Sequence, residues 1–169
     1  MKRITLLIKV LAILLMIVVI YKSCAALTTL PKADTAEHFL TGHKEELQIL
    51  AEYLDKQNYS TIYIDRADGT ALADLSQIKI EDDAVLKSLN TIFRDGCIDI
   101  YKDTSKNSIQ FMLWKRTKDE ADAGLLYAMV PTKQPEAEFQ TEIEPLTEDG
   151  WYYYLAEYNK WRADQNRSE

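Results

Sequence analysis

Histidine and cysteine are scarce in this chain, with two of each in 169 residues, and glycine and proline follow with five and four. So few imidazoles and thiols leave little material for nucleophile–base pairs or zinc sites. No Cys-x-x-Cys, His-Glu-x-x-His, Gly-x-Ser-x-Gly or phosphate-cradling glycine loop occurs. The low glycine and proline content excludes collagen-like and low-complexity chains, and two cysteines cannot build a disulfide framework. Basic runs are missing as well. The 20 Lys and Arg are scattered among 27 Asp and Glu, for a net charge of -7, so the chain offers no arm or stripe for a phosphate backbone. Nucleic acid is not an expected partner.

What is present begins at the N-terminus. Residues 10–21 form an uninterrupted apolar run, preceded by Lys2, Arg3 and Lys9 and followed by Lys22. With the Lys9 ammonium drawn back to the headgroups, Ile4 to Tyr21 is long enough to span a bilayer with little tilt. Residues 1–24 therefore read as a signal anchor, with a cleaved signal peptide ending near Ser23 and Ala25 as the alternative and a lipid on Cys24 as a third. A buried core helix fits poorly, because no polar residue recurs at helical spacing between Val10 and Ile20. Each exported version holds the N-terminus inside and sends the remainder out, as a single-pass membrane protein or, after cleavage, a secreted one. Residues 1–26 contain four basic side chains and no acid, so the other 143 residues carry 16 basic against 27 acidic groups, a net charge of -11.

A linker over 25–33 should lead into one extracytoplasmic α+β domain over 34–169. Asp34 and Glu37 have the spacing of a capping box, and Leu40, His43, Leu47, Leu50 and Leu54 form one helical stripe, interrupted in propensity by Gly42. A strand is expected over 60–66, a turn at Asp68-Gly69, a short strand over 77–80, and a second amphipathic helix over 82–94 stopped at Gly96. Residues 70–76 give no periodic signal. Strand-length alternation then recurs over 97–102, 108–116, 125–130 and 151–156. The expected fold is an antiparallel sheet of about five strands with two amphipathic helices, after the N-terminal hydrophobic segment. Alternation places Ile109, Phe111 and Leu113 on one face and Met112 and Trp114 on the other.

The residues assign no catalytic, cofactor or metal site. His38 and His43 would point about 140° apart on one helix, and His43 lies on the apolar stripe as a packed residue. A calcium loop around Gly69 fails because Ile64, Arg66 and Leu75 fall where oxygen ligands belong. Cys97 reads as a small buried residue. A carboxylate pair could serve glycoside hydrolysis, yet nothing distinguishes one pair among 27 acids.

The most distinctive sequence is the acidic and aromatic segment from Glu144 through Trp151-Tyr152-Tyr153-Tyr154-Leu155 to Arg162, together with Ile100-Tyr-Lys-Asp103 and Ser108-Ile-Gln-Phe-Met-Leu-Trp114. Over these last 70 or so residues the chain resembles an uncharacterised family of small, N-terminally membrane-anchored proteins of Gram-positive bacteria, a resemblance that implies no particular activity. Two function classes follow from the residues. One is an exported interaction module of the cell envelope, for instance of immunity type, meeting a protein partner. The other is a small-ligand or glycan binder with exposed aromatic planes and weak hydrolytic activity at most. Trp151, Tyr153 and Leu155 should share the helix-covered face. Tyr152 and Tyr154 lie opposite, where Tyr101, Trp114 and Trp161 are the residues expected to join them at a partner site, unless the tail around Tyr158 and Trp161 folds back over that face.

Overall fold

The computed structural model describes residues 31–117 and 120–166, which form one unit beginning at Pro31. The segment read as an anchor or signal, 1–24, and the linker up to residue 30 lie outside the described residues. Among the described residues no helix is long and apolar enough to cross a membrane.

The stripe from Leu40 to Leu54 folds as two helices, α1 (Ala33–Gly42) and α2 (Lys44–Asp55), because the chain breaks at His43 after the weak helix former Gly42. Leu40, Leu47, Leu50 and Leu54 are all buried. The capping box does not form. Asp34 lies inside the first turn, and the Glu37 carboxylate instead accepts from the backbone N–H and hydroxyl of Thr147. The helix α3 (Asp83–Arg94) follows its sequence closely. The Asp82 carboxylate accepts from the Ala84 and Val85 amides at 2.9 and 3.0 Å, Val85, Leu89 and Ile92 are buried, and Gly96 takes φ +120° just beyond the end.

The sheet is larger than about five strands. Eight occur: β1 (Thr61–Ile64), β2 (Thr70–Ala73), β3 (Ser76–Lys79), β4 (Asp99–Asp103), β5 (Ser108–Arg116), β6 (Ala121–Ala128), β7 (Gln140–Pro145) and β8 (Trp151–Glu157). They pair antiparallel in the order β3-β2-β1-β4-β5-β6-β8-β7. Neither β2 nor β7 has a clear signal: β7 is an edge strand paired only with β8, and β2 is a four-residue strand between the edge strand β3 and β1. Among the described residues a fourth helix, α4 (Tyr158–Gln165), forms in the aromatic tail.

Helices α1 and α2 lie against one sheet face, with α3 packed on α2. Ile62, Ile64, Ile100, Ile109, Phe111 and Leu125 are buried there with Trp151 and Tyr153, and the Tyr153 hydroxyl donates to the Pro31 carbonyl at 2.7 Å. Lys102 also points into this layer. It is 1% exposed, and its Nζ donates to the carbonyls of Leu54 and Gln57 at 2.9 and 2.7 Å, closing the C-terminal end of α2 with a cation. Burial lowers its pKa.

The opposite face is covered over only part of its width. Between β6 and β7 the chain crosses it, placing Ala137 and Phe139 against Leu126, Tyr154 and Ala156. Asn107 holds this crossing segment down. Its Nδ2 donates to the carbonyls of Val130 and Lys133 at 3.1 and 2.6 Å, and its Oδ1 accepts from the Val130 amide at 2.7 Å. Phe139 is in turn flanked by the rings of Tyr158 and Trp161 at 4.8 and 5.1 Å.

Candidate functional site

The uncovered part of that second face is a cleft of about 330 Å³ over β1, β4, β5 and β6, bordered on one side by Glu138 and Phe139 of the crossing segment. Strand parity decides which side chains enter it. Tyr63 of β1 pairs with Tyr101 of β4, and Tyr101 with Gln110 of β5, so these three share the cleft face with Asp99 and Met112.

A β-bulge then changes the parity. Met112 pairs with Gly124 but Trp114 pairs with Ala123, so Leu113 is the extra residue on β5. Beyond it Lys115, opposite Asp122, enters the cleft, while Trp114 turns to the other face beside Arg116, whose Cζ lies 5.5 Å from the indole centroid. The expectation that Trp114 shares a face with Met112 is thereby corrected, since uninterrupted alternation does not survive one inserted residue. Gly124 permits the bulge. A Cβ there would stand 2.0 Å from the Phe111 carbonyl oxygen, so this close backbone approach requires glycine.

The five aromatic residues expected at a partner site are thus dispersed. Tyr101 lines the cleft, Trp114 is on the opposite face, and Trp161 packs on Phe139. Tyr152 is half-buried against the Leu126–Tyr154 cluster, and Tyr154 is wholly buried. The fold-back over this face does occur, but the crossing segment makes the direct contact and the tail packs on top of it.

Carboxylates give the cleft its character. Asp99 is 6% exposed, and the nearest hydroxyl, Tyr63 Oη, is 3.5 Å from its Oδ2, longer than an O–H···O bond of about 2.5–3.0 Å. Burial pushes the Asp99 carboxyl up to about 6, against a smaller opposing pull from Lys115, with Asp122 adding to the rise. Burial raises Asp122 as well, although the Tyr154 hydroxyl donates to it and Lys115 attracts it. Its Oδ1 is buried with no hydrogen-bond partner. Tyr154 sits between the two layers of the network: Gln110 Nε2 donates to its Oη at 2.6 Å while that hydroxyl serves Asp122, and burial lifts its pKa far above the ordinary phenol value. At the rim Lys106 is already engaged, 3.8 Å from Asp103 and 4.0 Å from Glu138.

His43 and Cys97 lie elsewhere. His43 occupies the α1–α2 junction, stacked on Phe39 at 4.3 Å, with Nδ1 3.1 Å from the Phe39 carbonyl and Nε2 3.1 Å from Asp95. Arg94 also donates to Asp95 through two nitrogens at 2.9 Å, and these bonds hold the Asp95 carboxyl far below the ordinary carboxylate range. Cys97 is buried, which raises its thiol pKa strongly and makes it a poor nucleophile. Among the described residues no three His, Cys, Asp or Glu side chains converge as a metal site requires.

Asp99 and Lys115 are not singled out by their sequence, and Asp122 reads there as one of a cluster of acids, Asp119 to Asp122, that could hold a cation loosely but fits a solvated loop better. Two signals were nevertheless available: a glycine within an otherwise apolar strand, and the acid of Asp99-Ile-Tyr-Lys102 placed at odds in parity with the lysine. Comparison with known proteins adds nothing to these observations, since no family model, curated protein or solved structure matches the chain.

Proposed function

We propose that the protein is an exported, membrane-tethered interaction module of the cell envelope, for instance of immunity type, and that it meets a protein partner through the cleft on its second sheet face. The contrast within that face carries the reading. Its apolar width is closed by Phe139 and the aromatic tail, whereas the width holding Asp99, Asp122 and the paired Tyr63 and Tyr101 is left open. A fold that needed only stability would cover or neutralise the buried Asp99 and the half-buried Asp122. The export part of the proposal rests on the apolar run and the basic residues ahead of it. Glycan binding on an aromatic platform is disfavoured, because Tyr154 is buried and Trp114 and Trp161 lie away from the cleft.

The test is site-specific photocrosslinking in cells making the full chain, with a benzophenone amino acid at position 101 or, as control, at position 48 on the outer surface of α2. A discrete protein adduct from position 101 alone is the expected result. Absence of an adduct, or the same adducts from both positions, would overturn the reading. Protease added to protoplasts tests topology, and full protection of the domain would refute export.

A further inference from the structure

The cleft is short of positive charge. Asp99 and Asp122 converge on it from β4 and β6, and among the described residues the one cation acting on both is Lys115, which makes no ion pair within 4 Å there. Lys106 is occupied by Asp103 and Glu138. Two carboxyl groups thus face one lysine. Asp99 is more than nine-tenths buried and has only the long contact from Tyr63, and the inner oxygen of Asp122 has no donor at all. These are acceptors left waiting for a donor. The walls beside them are the cross-strand pair Tyr63 and Tyr101, aromatic rings of the kind that attract cations.

From this geometry we infer that the cleft is a receptor for an alkylammonium or guanidinium group, its N–H donors meeting Asp99 and Asp122 and its alkyl stem lying along Tyr63 and Tyr101. Its source is a lysine or arginine side chain of the protein partner, a point that rests on the interaction-module reading above. A metal ion fits less well, because Asp99, Asp122 and Glu138 do not converge as one ligand set. A basic group suits the depth and the tyrosine walls, and the net charge of -11 outside the N-terminal segment would draw a basic partner toward the domain.

The experiment uses the full chain in detergent micelles, labelled with 3-fluorotyrosine, with the Tyr63 and Tyr101 signals assigned by Tyr→Phe variants. Butylguanidinium and butylammonium are titrated as probes, with 1-butanol as the neutral control and calcium as the metal control. Saturable shifts at both tyrosines are expected with the two cations only. Asp99→Asn should weaken binding about tenfold at unchanged circular dichroism, and Lys115→Ala should tighten it several-fold. No saturation, an equal response to 1-butanol, an affinity unaffected by Asp99→Asn, weaker binding in Lys115→Ala, or saturation by calcium alone would each overturn the inference. The two proposals fail separately. Cation binding without a crosslinked protein would leave the receptor standing and sink the module, and a crosslinked protein without cation binding would do the reverse.

Discussion

Lys102 and Asp99 lie three residues apart in one strand, both almost entirely buried, on opposite faces of the sheet. The lysine has two backbone carbonyls within 2.9 Å at the end of α2, where the helix dipole favours a cation. The aspartate has one hydroxyl at 3.5 Å and a neighbouring acid. A buried charge held by two backbone carbonyls at a helix end is part of the architecture. A buried charge left short of partners lowers stability, and such groups gather where a protein keeps chemistry available for something else. The difference separates a structural face from a recognition face without reference to any relative.

The comparison can be broken by mutation. The largest effect should come from the structural face: Trp151→Ala removes an indole packed at 5.6 Å from Phe111 and 5.1 Å from Tyr127, and should cost about 3–5 kcal/mol in urea unfolding. Neutralising the two buried charges at nearly constant size should then move stability in opposite directions. Lys102→Met leaves the Leu54 and Gln57 carbonyls without their donor and should cost about 2–3 kcal/mol. Asp99→Asn should stabilise by about 2 kcal/mol near neutral pH. A loss of stability in Asp99→Asn would erase the distinction between the faces.

Titration sharpens the last of these. Folding raises the Asp99 carboxyl from an ordinary 3.8 to about 6, so the folded state takes up a proton between those values. Its contribution is fully present below pH 3.8 and is lost as pH rises from there through about 6. Besides burial, the groups acting on it are Lys115 and Tyr63, which oppose the rise, and Asp122 and Asp65, which add to it. The advantage of Asp99→Asn should therefore be full above pH 7 and close to zero at pH 4, as thermal midpoints of both proteins across that range would reveal. The smallest effect belongs to His43→Gln, which loosens the link from the α1–α2 junction to Asp95 and should cost about 1 kcal/mol while leaving metal content unchanged. Zinc bound in stoichiometric amount and released by that substitution would contradict the structural role.

How far the sequence could be read depended on where its periodicity was intact. The helix α3 was legible from its stripe and caps, and so was the turn at Asp68-Gly69, where Gly69 takes φ +79°. The single stripe from Leu40 to Leu54 concealed a break at His43, because burial continues across the junction while the helical hydrogen bonds do not. Strand β7 escaped because an edge strand needs little apolar alternation, and β2 because it is only four residues long. The cleft was legible only at Tyr101. Asp99 and Asp122 acquire their character from being brought together across β5, a relation of register that composition does not encode, and Lys115 joins them only because Leu113 is accommodated without a partner.

That unpaired leucine works as a phase shifter for the rest of the chain's middle strand. Upstream of it the even-numbered side chains of β5 look onto the cleft, and downstream the odd-numbered ones do. With Leu113 kept but the bulge flattened into simple alternation, two neighbours would be exchanged: the Trp114 indole would face the acids, and the Lys115 ammonium would be driven toward the packed layer beneath the helices. A frame of one residue, guarded on the facing strand by a position that admits only glycine, thus keeps the wet chemistry of this domain from trading places with its dry interior.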